Sequence, residues 1–493
     1  MSAAFCKGSG VGPVPRALVR AVAACALAVL CAQGGCAVGP DYRREATELP
    51  AEWRAVPPWH EAQPDDAAVK GRWWLAFQDA QLDALVARAL AGNQDLRVAA
   101  LRLDEAREQV TIARSALVPA VSLEADPSRS LSAANRPVAS YGAANQATTQ
   151  NDFKLDGAVS YELDLFGRLR RGAEAARANL QQASADFENA RLVLIAELAS
   201  DYFRLRELDA ESAVLADGIE SLRRSRDVIA ARHDLGFATG LDLAQQESLL
   251  DASEAGLALL QNQRAQIEHA IATLIDVAAP SFTLEPAVAV PPLPAVALGL
   301  PSDLLQRRPD VASAERAMAA ANARVGIARA AYFPTIELAG AFGWESGALA
   351  TLLQAPSHAW SIGAAATAPL FTAGAIGANV RIANAQYGAA VASYRHTVLT
   401  AMEEVENGIH GLSDLARAED RSAASTASAQ RALDIANDRY AGGVDTFLDV
   451  FTAQQTVLAN RRQTVQIRGQ RALATVYLIK ALGGGWTGLP AAL

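Results

Sequence analysis

Four cysteines, Cys6, Cys25, Cys31 and Cys36, stand in the first tenth of this 493-residue chain and none follows. Beyond residue 36 the chain can therefore build no disulfide framework, zinc site or thiol nucleophile. What the cysteine spacing does offer is acylation. Lys7, Arg16 and Arg20 precede an apolar run over residues 21–32, and Gly34-Gly35-Cys36 follows that run directly. The run is far short of the roughly 20 residues a spanning helix needs. A positive start, a short apolar run and small residues before a cysteine form an export leader whose cysteine becomes a lipid-bearing first residue. Residues 1–35 are thus predicted to be a lipoprotein-type signal peptide. Cys36 is expected to carry N-palmitoyl and S-diacylglycerol groups, with no other cofactor. Val22-Ala23-Ala24-Cys25 matches the small-residue rule better locally but leaves almost no apolar run behind Arg20. Simple cleavage near Ala37, with Cys36 lost, is the alternative.

The other groups that could do chemistry are carboxylates. Asp242 follows the turn Leu235-Gly236-Phe237-Ala238-Thr239-Gly240, and Asp449 follows Arg439-Tyr440-Ala441-Gly442-Gly443-Val444-Asp445. Read by position alone, both carboxylates begin helices, where they favour the positive end of the dipole. Glu162 and Asp164 alternate with Tyr161, Leu163 and Leu165. That alternation suits a strand between lipid and a water-filled lumen; an ordinary antiparallel sheet with one wet face gives it equally well. His60, His233, His269, His358, His396 and His410 are scattered, with no pair at metal-ligand spacing. None of the four lysines follows a glycine-rich run, and no Gly-x-Ser-x-Gly elbow occurs. No enzyme is expected. The formal net charge is −9 and no basic stripe interleaved with aromatics occurs, which argues against a nucleic-acid partner.

The elements that must position these groups are long. Proline is missing from residues 138–279 and again from 370–489, which suits continuous helix and an elongated architecture. Tyr387, Val391, Tyr394, Val398, Met402, Val405, Ile409 and Leu412 recur at three- and four-residue steps, the seam of a helix packed along its length. Paired glycines at Gly442-Gly443 end it and a return helix follows. An earlier helix from Arg168 to near His233 turns at Gly236 and returns with Leu243, Gln246, Leu250, Ser253, Leu257, Leu260, Arg264, Ile267, Ile271 and Leu274 in heptad register. Short alternating strands are predicted at 121–126, 153–165, 335–344 and 358–369, with exposed loops at 128–150 and 345–356.

The second half repeats the first. Ala113-Arg114-Ser115-Ala116-Leu117-Val118-Pro119 recurs as Ala328-Arg329-Ala330-Ala331-Tyr332-Phe333-Pro334, Leu165-Phe166-Gly167-Arg168 as Leu370-Phe371-Thr372-Ala373-Gly374, and the segment 236–243 as 443–450. The predicted domains are an extended arm over 36–72, a first repeat over 73–279, a linker over 280–301, a second repeat over 302–483 and a tail over 484–493. Four strands per chain fall short of the roughly eight that a barrel needs. Left open in lipid, their edges would carry unpaired backbone groups at several kcal/mol each. Copies of the chain must complete the wall, and two, three or four copies would close it.

This duplicated unit, with Cys36-Ala37-Val38-Gly39-Pro40-Asp41-Tyr42, Tyr161-Glu162-Leu163-Asp164-Leu165-Phe166-Gly167 and the turn from Tyr440 to Val450, resembles the outer-membrane factor family. Its members are TolC-like exit ducts of tripartite efflux pumps, and the chain is similar to the lipid-anchored branch. The resemblance implies an α+β membrane protein forming a homotrimer, with a twelve-stranded β-barrel in the outer membrane of a Gram-negative bacterium and an α-helical tunnel across the periplasm. It implies a periplasmic adaptor (a membrane fusion protein), an inner-membrane RND transporter that supplies the energy, and outer-membrane lipid as partners. An equatorial belt is implied too, for which residues 413–430 and the carboxyl end are the candidates. Matched residue by residue, Tyr440 takes the place of a gating tyrosine, Asp242 of its carboxylate partner and Asp449 of a ring carboxylate at the periplasmic gate. Asp445 stands where the best-known member has a latch arginine, and Thr452 where it has a second ring aspartate. Glu162 and Asp164 would face the barrel lumen. An exit duct for type I protein secretion would share all of this. A coiled-coil periplasmic scaffold lipoprotein would share the helices but not four symmetric strands.

Overall fold

The computed structural model describes residues 37–43, 53, 71–135, 147–288, 293–294 and 307–485. Cys36, the leader, most of the arm, half of the 280–301 linker and most of the tail lie outside the described residues. A 3-10 turn at Trp73–Phe77 precedes α1 (Ala80–Gly92), α2 (Gln94–Ser115), β1 (Ala120–Ser132), β2 (Thr148–Leu163), α3 (Arg168–Asp234) and α4 (Gly240–Leu274). The second half supplies α5 (Pro309–Ala330), β3 (Thr335–Ser346), β4 (His358–Thr367), α6 (Ala375–Ala441) and α7 (Phe447–Ala481). The duplication is metric as well as sequential. Helices α2 and α5 are 22 residues each, α3 and α6 are 67 each, and α4 and α7 are 35 each.

Both helical hairpins turn by the same device. Gly236 and Gly443 take positive φ values of 78° and 72°. The next amide in each case, Phe237 or Val444, reaches back to the carbonyl of Arg232 or Arg439 at 2.7 and 3.0 Å. This is the left-handed glycine stop that satisfies the last helical carbonyls, and a side chain at either glycine would strain it.

The chain divides into two compact units, one of residues 1–43, 107–179 and 318–389, the other of 44–106, 180–317 and 390–493. In the first, the four strands form one antiparallel sheet in the order β1-β2-β3-β4. Pairing of β2 with β3 joins the hairpin of one repeat to that of the other, Leu163 opposite Ile336 and Phe153 opposite Ser346. The predicted loop at 128–150 is shorter than its sequence suggests: β1 and β2 stay paired out to Ser132 opposite Thr148. Backbone ladder bonds carry these residues, whose polar side chains show no alternation to read.

The second unit holds the main core. Trp73, Trp74, Phe77, Leu82, Leu85 and Val86 pack with Leu198, Tyr202 and Phe203 of α3, Ile271 of α4, Phe282, and Ala472 and Val476 of α7. Asp79 starts α1 by accepting from the amides of Gln81 and Leu82 at 2.9 and 3.2 Å, and its second oxygen accepts from the Tyr202 hydroxyl at 2.5 Å. Asn93 separates α1 from α2 and donates to the Leu274 carbonyl at 3.0 Å. The seam predicted for α6 is the buried one: Tyr394, Val398, Val405, Ile409 and Leu412 are all inside, the last three with Leu478, Ala481 and Trp53. Residues 413–430, a candidate for the belt, are uninterrupted helix within α6. Ser422 and Thr426 in this stretch hydrogen-bond to the Thr464 hydroxyl of α7 at 2.8 and 3.1 Å. Small polar side chains there bring two helices together rather than break one.

Candidate functional site

Register fixes which residues share a face, because side chains alternate along each strand. One face carries Val121, Leu123 and Leu131, then Phe153, Leu155, Val159 and Tyr161, then Ile336, Leu338, Phe342 and Trp344, and finally Trp360 and Ile362. The other carries Glu124 and Asp126, Asp152, Lys154, Asp156 and Glu162, Glu337 and Glu345, and Ser361. Within the chain the apolar face is open to its surroundings, Leu123, Trp360 and Ile362 being 78%, 75% and 82% exposed. Arg129 and Asn151 interrupt it towards the β1–β2 end, but an apolar face of this extent marks a lipid or protein contact rather than a surface built for water.

The polar face is acidic in excess. Glu162 lies directly opposite Glu337, and Glu124 opposite Asp156. Like charges so placed repel, which favours cations between them. Lys154 sits 3.5 Å from Asp156, and Arg168 grips Glu162 with two donors, Nε at 3.0 Å. Asp156 lies across Gly343 so closely that a Cβ there would fall 2.4 Å from the Asp156 Cα, so glycine is required at that register position. The two predicted lumen carboxylates part company here. Glu162 is on the polar face at the end of β2. Asp164 is past the strand and starts α3, accepting from the amides of Leu169 and Arg170 at 3.1 and 2.8 Å. Sequence reasoning left Asp152, Asp156, Glu337 and Glu345 out of the site; the alternation that marks them lies in the same strands.

Large apolar residues bound the sheet where it meets the helices. Phe166 stacks on Phe333 with ring centres 4.7 Å apart, while Val118, Tyr332, Leu370 and Phe371 are exposed at the neighbouring junctions. Near the other end Phe342, Trp344 and His358 form a cluster with centres 5.3–6.4 Å apart. An apolar band edged by aromatics at both ends is the lipid-facing pattern of a membrane barrel strand.

At the hairpin tips, in the second unit, each predicted gate residue has a local partner. Asp242 forms a capping box with Thr239, accepting from its amide and hydroxyl at 2.8 Å each while the Thr239 hydroxyl accepts from the Asp242 amide at 3.2 Å. Asp449 accepts from the Thr446 hydroxyl at 3.0 Å. The structure does not bring Asp242 to Tyr440. The Tyr440 ring instead lies under the Arg232 guanidinium at 4.6 Å and beside Phe447 at 5.7 Å, so the cross-hairpin contact is a cation over an aromatic face. Asp445 is held by Arg439 in a two-pronged ion pair, one arm at 2.8 Å. Those hydrogen bonds keep its carboxyl below the ordinary aspartate range. Neither Arg232 nor Arg439 was singled out by its sequence position, although Arg232 occupies in the first turn the place Arg439 holds in the second. Leu235, Phe237, Leu241, Val444 and Leu448 leave apolar side chains exposed at the two turns.

No described helix is long and apolar enough to cross a membrane. Residues 85–276 and 300–484 match the family described as outer membrane efflux protein. The chain is 34% identical to the outer membrane protein OprJ of Pseudomonas aeruginosa, over 94% of this chain and 95% of that one. The solved structure of the outer-membrane channel OprN superposes with a TM-score of 0.84 at 30% identity, covering 92% of this chain and all of that one. The outer membrane channel CmeC of Campylobacter jejuni gives 0.82 at 27% identity, over 92% and 96% of the two chains.

Proposed function

The chain belongs to the outer membrane efflux protein family and is an outer-membrane efflux channel, not an enzyme; from that premise we propose that it works as a homotrimer whose three sheets close a single twelve-stranded barrel. The observation that carries this reading is the open four-stranded sheet with an apolar face, an acidic face and two free edges, β1 and β4. In hydrocarbon each unpaired edge group costs several kcal/mol, and pairing β4 of one copy with β1 of the next removes that cost around the ring. The apolar faces then meet lipid and the carboxylates line the lumen, which favours cationic cargo over anionic. The long helices continue the wall as a periplasmic tunnel, and small molecules, drugs among them, leave through it passively. Work is supplied by an inner-membrane RND transporter through a periplasmic adaptor, for which the exposed apolar residues at both hairpin turns offer a contact. Acylation at Cys36 adds an anchor in outer-membrane lipid. The mass of the detergent-solubilised particle tests the assembly: three copies are expected, and a monodisperse, folded monomer that conducts no ions would end it.

The gate reading follows from the tips. Three copies would set Asp242, Tyr440, Asp445 and Asp449 around one axis, the Arg439–Asp445 pair taking the place of the latch arginine. A phenol-to-carboxylate bond is charge-assisted, strong enough to hold and weak enough for a partner to break. Asp242→Asn keeps an acceptor for Thr239 and so spares the cap. Combined with Tyr440→Phe it is expected to raise single-channel conductance in planar bilayers several-fold. Unchanged conductance would remove Asp242 and Tyr440 from the gate.

A further inference from the structure

One arginine breaks the rule that divides the two faces of the sheet. Arg129 of β1 stands on the apolar face, directly opposite Asn151 of β2, while every other lysine, arginine or carboxylate of the four strands is on the acidic face. Both side chains are exposed, and neither has a hydrogen-bond or ion-pair partner among the described residues. The next pair inward on that face, Pro127 opposite Phe153, is apolar again, and beyond it lie Leu155, Trp344 and His358. The strand gives the height of this polar pair. Asn151 precedes Tyr161, the strand aromatic nearest the helix end of the face, by ten residues. At ~3.3 Å per residue that is about 33 Å of strand, which a tilt of ~40° turns into roughly 25 Å along a barrel axis. The outward apolar band of a membrane barrel has that height. Arg129 and Asn151 therefore stand at its far edge, where an arginine is tolerated and headgroup phosphates begin.

Deeper in the band the same face holds a groove. Val159, Phe342, Trp360 and Ile362 wall a shallow depression of about 370 Å³ with Gly157 and Gly340 at its floor. Backbone packing does not demand glycine at either position. A Cβ on Gly157 would lie 3.8 Å from its nearest neighbour and one on Gly340 3.7 Å, both ordinary contacts. The space stays open where side chains would fit. Gly157 follows Asn151 by six residues, about 20 Å of strand and ~15 Å of height, the depth of one leaflet. We propose that Arg129 and Asn151 hold the phosphate of a phosphorylated outer-leaflet glycolipid, one of whose acyl chains runs down the sheet into this groove. The inference rests on the barrel and its orientation proposed above. A guanidinium presents paired donors that match a phosphate, and the carboxamide adds another beside it. Directly opposed residues on one face have Cβ atoms about 4.5–5.5 Å apart, so a single phosphate meets both. Closing the barrel joins β4 of one copy to β1 of the next through backbone groups and leaves both side chains facing outward.

Native mass spectrometry of the detergent-solubilised full chain tests the site, with bis-phosphorylated lipid A and the same glycolipid stripped of its phosphates as probes. The phosphorylated probe is expected to stay bound, one per chain, and the stripped one to bind roughly tenfold more weakly, the scale of losing charge-assisted hydrogen bonds. Arg129→Gln with Asn151→Ala is expected to lose a similar factor, about tenfold, for the phosphorylated probe alone. Arg129→Lys, which keeps the charge but not the paired donors, is expected to retain part of the binding. Gly340→Leu fills the groove and is expected to weaken both probes while the preference for phosphate survives. Should the double variant fail to assemble, the two probes compared on the unaltered chain still decide. Equal retention of the two, or unchanged affinity in the double variant, would overturn the site. A doubled particle mass that the double variant abolishes would give the surface to a second particle and overturn it as well. A spectrum of single chains would instead overturn the barrel itself.

Discussion

Ile362→Arg is expected to abolish the assembled outer-membrane particle, while Ser361→Arg, one residue away, leaves it intact. Ile362 lies mid-strand in β4, opposite Gly340 and in register with Val159 of β2 across the apolar face. An arginine on the lipid side of a barrel strand costs about 2–4 kcal/mol near the bilayer midplane. Three copies would raise that to roughly 6–12 kcal/mol, within the ~5–15 kcal/mol that holds a whole domain folded. Ser361 points the other way, opposite Ala341 on the face shared with Glu337 and Glu345. There the guanidinium meets carboxylates and water. Fractionation and electrophoresis with and without heating read the outcome, the Ile362 variant giving only monomer and the Ser361 variant keeping a heat-sensitive trimer band. Equal behaviour of the two would mean that the faces do not separate lipid from lumen.

Much of this arrangement was legible in the sequence, because the informative signals are periodic. Three- and four-residue spacing located the α6 seam, and the turn glycines located both stops, since only a residue without a side chain sits comfortably at those φ values. The duplicated Val118-Pro119 and Phe333-Pro334 junctions located the strands. What escaped was polar and non-local. Arg171 and Asp41 are 130 residues apart, and Arg462 reaches Glu211 from 251 residues away; no pattern in either neighbourhood names its partner. Asp164 was misplaced for a related reason. Alternation continues one step past the last paired residue, Leu163, but a carboxylate there meets free helical amides before it meets a lumen. The gate is a third case. Tyr440, Asp242 and Asp449 were assigned by resemblance, and within one chain each satisfies a local need, so any function at the axis must be written in contacts between copies.

Asp209→Ala should cost about 3–5 kcal/mol of stability in the helical part of the protein, the penalty for leaving partners of a buried ion pair uncompensated. Asp209 and Arg206 are each 1% exposed. The carboxylate accepts from Arg206 at 2.6 Å, from Arg264 at 2.6 Å and from the Ala287 amide at 3.1 Å. The same two arginines hold the carbonyls of Glu285 and Leu284, while Glu268 takes the Leu284 amide. Four charged side chains on α3 and α4 thus fasten the start of the segment that joins the two repeats. Removing Asp209 leaves Arg206 without a carboxylate partner and Arg264 with Glu268 alone, and the Ala287 amide loses its side-chain acceptor. Limited proteolysis should then cut near residues 284–287 before any other site, with a lowered denaturation midpoint. Because burying ions is costly in itself, Arg206→Met with Asp209→Leu is expected to recover most of the loss. A fall below about 1 kcal/mol for Asp209→Ala, the range of an exposed pair, would show that the network is solvated and that the linker is held by Phe282 and Leu284 alone.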